Sequence, residues 1–188
     1  MLYTADVVIE QSVNSSLMEM PDEERLTSTD GLDENHDYGQ ICDVSIDEAI
    51  ETIANEAELL TRIESIPEEE QEEALAEISD ELFDDFDSLI GLDFGVAGLV
   101  EALTAIGCAT ISSCNGGVMG GSHAMPHPWI IFHAPTNLVD LLLWAAKEAN
   151  AGLINNYSGM LQAYSDDIWK FNRMASHLIK RHKEFISG

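Results

Sequence analysis

The stretch Cys108–Ala134, CATISSCNGGVMGGSHAMPHPWIIFHA, decides the fold. Cys108 to Ser113 and Trp129 to Ala134 are short runs of β-branched, aromatic and small residues, and each predicts a strand. Between them, Cys114 to Pro128 carries four glycines and two prolines, which predict a loop. Upstream, Asp93 predicts a helix start and Gly107 its stop, with Leu99, Val100, Leu103 and Ile106 at helical spacing. Downstream, Thr136 predicts the cap of a helix through Asn150 that carries Leu138, Leu141, Leu142 and Ala145. Gly152 to Tyr164 reads as extended with a kink at Gly159. Asp166 opens a last helix with Trp169, Met174, Leu178 and Phe185 among its apolar positions. The order helix, strand, strand, helix, strand, helix predicts an α/β (α+β) domain over residues 92–188, a small sheet with packed helices.

Residues 45–91 have a different texture. Ser45 and Glu48 stand in capping-box spacing, in which each side chain satisfies an orphan amide of the first turn. Ile46, Ile50, Ile53, Ala57 and Leu60 follow on one helical face. Ser65-Ile66-Pro67-Glu68 is a second start signal, followed by the stripe Leu75, Ile78, Leu82, Phe86 and Leu89 and the stop Gly91. The expectation is an acidic α-helical hairpin, each helix having one narrow apolar face that needs a partner. Residues 1–44 read as a short strand, Leu2 to Ile9, followed by a mobile acidic linker over 11–41.

The charge is segregated. Residues 1–93 hold 29 of the 35 carboxylates against two bases, Arg25 and Arg62, whereas residues 94–188 hold six acidic and six basic residues. A chain of formal charge −27 repels phosphate backbones and anionic lipid, so direct nucleic-acid binding is disfavoured and basic proteins and divalent cations are the natural counterparts, a basic protein foremost. The last helix is the basic one, with Lys170, Arg173, Lys180, Arg181 and Lys183. These suit its dipole, or dock the acidic hairpin within the same molecule. Met1 to Glu10 lacks a basic n-region and a long apolar run, and no stretch is apolar enough for a membrane span. The odd set Cys42, Cys108 and Cys114 fits reduced thiols, so a cytoplasmic location is expected.

The loop after the first sheet strand is where chemistry is expected. Ser112, Ser113, Cys114, Asn115, Gly116 and Gly117 combine hydrogen-bonding side chains with backbone freed to approach an anion, and Gly120, Gly121 and His123 continue the segment. A flexible connection that needs positive φ angles reads the same way. Cys114 as a nucleophile requires a base, for which His123, His127 and His133 are the candidates, and an electropositive setting. A small buried thiol at a strand end is the alternative. Cys114, His123 and His127 read as C-x8-H-x3-H, a weak zinc pattern that Pro126 and Pro128 interrupt. His133 alternates with Phe132 and Ala134 and is expected to face solvent. Trp129 is a stacking candidate; Trp144, mid-helix among leucines, is expected in the core, and Tyr157 and Tyr164 suit packing as well as stacking.

Residues about 93–164 resemble the core of the tRNA wybutosine-synthesis methyltransferase family. The resemblance rests on Thr110-Ile111-Ser112-Ser113-Cys114-Asn115-Gly116-Gly117, then Trp129 to Ala134, then Ala145 to Ala151 and Gly152. It implies a small α/β fold, S-adenosylmethionine and an RNA substrate, with Ser112, Ser113, Cys114 and Gly116 in the ligand-facing turn. Asn115 and Gly117 stand where that family has Ser and Arg. The basic surface that tRNA requires is confined to the last helix.

Three functional classes follow from these readings. One is an acidic accessory or interaction protein that binds a basic partner and carries a small-ligand site in the 112–123 loop. The second is an enzyme, methyltransferase-like or nucleotide-handling, centred on Cys114 and the glycines. The third is a nucleic-acid mimic or immunity protein. No cofactor is read from the residues themselves.

Overall fold

The computed structural model describes residues 5–22, 44–67, 70–71, 73–74, 77–78, 92–116 and 126–186. Among them are four α-helices: α1 (Ile46–Glu64), α2 (Ala97–Ala105), α3 (Val139–Ala149) and α4 (Ile168–Ile186). Five strands, β1 (Gln11–Ser12), β2 (Ala109–Cys114), β3 (Trp129–His133), β4 (Gly152–Asn155) and β5 (Leu161–Tyr164), form one mixed sheet in the order β1-β4-β5-β3-β2. The expected α/β class, a small sheet with helices packed on it, is the one observed.

The topology follows from short connections. β2 and β3 pair antiparallel, as do β4 and β5. β5 then inserts between β4 and β3, so α3 crosses over from β3 to a strand two places away. The segment expected as one kinked extension, Gly152 to Tyr164, is therefore a reversal: a single 3-10 turn at Tyr157–Gly159 folds it into the β4–β5 hairpin. Gly159 adopts φ +80°, which a side chain resists.

The helices cover one face of the sheet. Ile130, Phe132, Leu153, Leu161 and Ala163 from the strands meet Leu99, Leu103, Leu142, Phe171, Met174 and Leu178 from the helices. Full burial of each such large side chain contributes about 1.5–3 kcal/mol. Ala49 and Ile53 of α1 belong to this same core. A second cluster joins Leu60 and Ile63 of α1 to Ile78, Phe94, Ala97 and Ile168. The first acidic helix is thus continuous with the neutral α/β unit through its apolar face. Of the second expected helix, Ile78 is buried against α1, and most of its stripe lies outside the described residues.

The Ser45–Glu48 capping box forms as expected. Glu48 Oε2 accepts the Ser45 N–H at 2.7 Å, and Ser45 Oγ accepts the Glu48 N–H at 3.2 Å. Three other expected caps differ. Asp93 does not cap α2; its carboxylate accepts the Asn115 N–H at 3.4 Å instead. Thr136 opens a 3-10 turn, and α3 begins after Leu138 with no side-chain cap. Asp167 rather than Asp166 holds the start of α4, accepting the Trp169 N–H at 2.8 Å, while Asp166 pairs with Lys170 at 2.6 Å. Adjacent acidic residues compete for such positions, and the local chain path decides between them.

The N-terminal segment also differs from expectation. Residues 5–10 form no strand, and Val8 is 87% exposed. The two-residue β1 pairs parallel with β4, and residues 13–22, expected to be part of a mobile linker, are tied to the sheet edge. Asn14 N donates to Asn155 Oδ1 at 2.7 Å, and Glu19 N to the Gly159 carbonyl at 3.0 Å. The remainder of that linker, 23–41, and Cys42 lie outside the described residues.

Candidate functional site

Residues that face one another across antiparallel strands share a face of the sheet. Cys114 pairs with Trp129, Trp129 with Tyr164, and Tyr164 with Gly152, making a row across four strands. The next row is Ser112, Ile131, Gln162, Ile154 and Ser12. Both rows lie opposite the helix layer, because the intervening Ile130, Phe132, Leu161 and Ala163 are the ones in the main core. Ile111, Met160 and Ile131 form a small separate apolar cluster on this outer face.

The structure therefore separates the expected site residues. Ser112 and Cys114 share the outer face. Ser113 pairs with Ile130 and so faces the helix layer, because a register shift between Thr110 and Ser112 precedes it. Asn115 is 2% exposed, its amide turned to Asp93. Gly116 has φ +73°, and a Cβ there would lie 2.4 Å from the His127 carbonyl carbon. The two ends of the loop thus touch through backbone, which only glycine permits. Gly117, Gly120, Gly121 and His123 lie outside the described residues.

The electrostatics oppose an activated thiol. Burial pushes the Cys114 thiol up; the Gly116 N–H, donating to Sγ at 3.4 Å, works the other way, and the Asp93 carboxylate adds to the rise. His127 is buried edge-on to Tyr164 with ring centroids 6.0 Å apart, and burial lowers its pKa. At neutral pH both groups are uncharged, the reverse of the thiolate–imidazolium pair that nucleophilic catalysis needs. His133, expected to face solvent, is buried, with Nδ1 2.6 Å from the Glu19 carbonyl oxygen. Among the described residues, no three His, Cys, Asp or Glu side chains converge as metal ligands.

Tyr164 organises this face. Its ring lies against Gly152, where a Cβ would sit 2.3 Å from ring carbons. Its hydroxyl donates to the Val8 carbonyl at 3.0 Å and accepts the Glu10 N–H at 2.9 Å, so it pins the N-terminal segment. Beside it, the Trp129 indole N–H is buried with no hydrogen-bond partner. The sequence singled out Cys114, Trp129 and Tyr164 one by one but not as a row, because register is a pairing property; the isolated Gly152 was the row's one local sign. Tyr157, by contrast, is 89% exposed.

The second feature is the outward face of α1. Asp47, Glu48, Glu51, Glu58 and Glu64 are exposed along it, with Arg62 as its one base. At 100° per residue, Asp47, Glu51 and Glu58 fall nearly in line. Lys183 of α4 reaches Asp47 at 3.5 Å, an exposed pair of the kind worth about 0–1 kcal/mol. The basic helix does pack beside the acidic one, but buried contacts hold the two together. Asn172 Nδ2 donates to the Ile53 carbonyl at 2.9 Å and to Glu56 Oε2 at 3.2 Å.

Glu56 is fully buried, and it replaces the missing cap of α2. Its Oε1 accepts the Gly95 N–H at 3.0 Å, and the Ala97 and Gly98 amides also point to the carboxylate. Desolvation raises its pKa to about 7 against these hydrogen bonds. One helix turn further, Glu101 is fully buried with no well-formed hydrogen bond to either oxygen; burial raises its pKa, with Thr52 offsetting and Glu48 adding. No helix among the described residues is long and apolar enough to cross a membrane. No family model, curated protein or solved structure matches this chain.

Proposed function

We propose that this chain is an interaction protein whose α1 helix presents a fixed acidic face to a basic partner protein. What supports the reading is one observation: the exposed carboxylates Asp47, Glu51 and Glu58 line up on a helix whose opposite face is locked into the core. Asp47 and Glu51 stand one helical turn apart, a spacing at which like charges repel by about 0.2–0.5 kcal/mol, and Glu58 follows two turns on. A partner that supplies cations relieves that repulsion on binding. It meets a helix already ordered, so little conformational entropy is lost. The enzyme alternative needs a charged Cys114, and the surroundings of that thiol disfavour one.

Deletion of the helix is a poor test, since Ala49 and Ile53 are core residues. Charge reversal at Asp47, Glu51 and Glu58 leaves the buried face intact. The triple Lys variant is expected to bind an eight-residue oligolysine at least about tenfold more weakly than the parent, with a shallower salt dependence. Equal affinity in the two proteins, measured by fluorescence anisotropy at low salt, removes α1 as the docking face.

A further inference from the structure

Away from both features, a cavity of about 460 Å3 opens between the start of α3 and the end of α4. That volume lies in the range of small-molecule sites, roughly 300–1,000 Å3. Leu138, Leu141 and Trp144 line it with apolar surface, and Asn137, Asp140, Arg181 and His182 supply the polar groups. Trp144, expected in the core, packs against the main core and is partly exposed to this cavity. The Arg181 guanidinium lies over its ring, 5.6 Å from the centroid, and His177 meets the same ring edge-on at 5.6 Å and 74°. These two contacts set the plane of the indole before a ligand arrives, which reduces the ordering cost of binding.

We infer that this cavity binds a small aromatic monocarboxylate. A flat ring buries its faces against Trp144, Leu138 and Leu141, and Arg181 offers a planar fork matched to a carboxylate. Arg181 already holds one: its Nη1 lies 3.0 Å from Glu184 Oε2. Both side chains of that pair are about half exposed, so a ligand carboxylate displaces Glu184 at little cost. Lys180, Arg181, His182 and Lys183 are the only adjacent bases in the sequence, so this end of α4 is where a small anion is drawn in a chain of net charge −27. Asp140 in the wall, with that net charge, restricts the ligand to a single negative charge.

The test uses the full chain and indole-3-acetate as the probe, with the neutral indole-3-ethanol as its control, followed by ligand-observed NMR at pH 7. Indole-3-acetate is expected to bind in the sub-millimolar range, and the alcohol at least about tenfold more weakly, since it offers Arg181 no carboxylate. Arg181→Glu is expected to weaken indole-3-acetate at least about tenfold while leaving the far-ultraviolet circular dichroism unchanged, because Arg181 is an exposed rim residue. Trp144→Ala gives a second reading of the ring wall. Absence of binding, equal affinity for acid and alcohol, or an unchanged affinity in folded Arg181→Glu each overturns the inference. The oligolysine titration reads the α1 face and does not depend on this outcome.

Discussion

The helix layer and the outer face of the sheet bury polar groups by opposite means. In the helix layer, Glu56 is a carboxylate inside an apolar core, held by backbone amides at the start of α2 and by Asn172 of α4. On the outer face, a phenol, an imidazole and a thiol do the work: the Tyr164 hydroxyl spans Val8 and Glu10, His133 Nδ1 reaches the Glu19 carbonyl, and burial pushes the Cys114 thiol up. The difference shows how one small domain carries a strongly acidic helix. A carboxyl group inside α1 joins three helices, while hydrogen bonds from Tyr164 and His133 to backbone hold the N-terminal segment over the strands.

Replacing Glu56 by Ala is the most severe way to break that contrast. It strands the Gly95 amide, removes one of the two Asn172 Nδ2 partners and opens a cavity, so urea denaturation at pH 7 should show a loss of about 3–5 kcal/mol. A loss under about 1 kcal/mol would show that the α2 amides find another partner. Gly116→Ala attacks the outer face through its backbone. The positive φ and the 2.4 Å approach to His127 predict a loss of about 2 kcal/mol, read by the same denaturation. An Ala variant as stable as the parent would mean that the two ends of the loop are not in contact.

The pH dependence sharpens the comparison further. Glu56 keeps its proton to about pH 7 in the folded chain and releases it near 4.5 in the unfolded chain. Folding therefore takes up a proton within that window. Stability falls as pH rises from about 4.5 to 7 and levels off above, with a slope of at most about 1.4 kcal/mol per unit from this group. Glu101, also raised, acts in the same direction. Repulsion among the exposed carboxylates does so too, so the diagnostic is a comparison with Glu56→Gln, whose stability profile should be flatter over this window. Identical slopes would take Glu56 out of the linkage. The smallest effect belongs to Tyr164→Phe, which removes one hydroxyl. It should cost about 1 kcal/mol globally and speed amide hydrogen exchange at Glu10, with the helix layer unchanged. Unchanged exchange at Glu10 would mean that β1 pairing alone holds the segment.

Local chemistry made much of this molecule readable. The Ser45–Glu48 box and the Ile53 and Leu60 positions placed α1 because both signals act within one or two turns. The runs around Ile130 and Leu153 marked strands through their side-chain types. The two-residue β1 was unreadable, since its pairing partner Leu153 lies about 140 residues away. Nothing local distinguishes Glu56 from the other carboxylates of α1, and only the approach of α2 and α4 makes it a cap. Ser112 and Ser113 looked equivalent, yet they alternate across the strand, and the register shift beside Ile111 decides that Ser113 is the one facing the helices.

By itself the sequence determined the class of fold, the start of α1 and the imbalance of charge, because propensity, periodicity and net charge are properties of neighbours along the chain. The tertiary structure alone decided which carboxylate is buried, which cysteine neighbours which tryptophan, and that α1 shares its core with the sheet. Those outcomes depend on desolvation and on pairing between distant segments, and both are set only when the chain has closed upon itself.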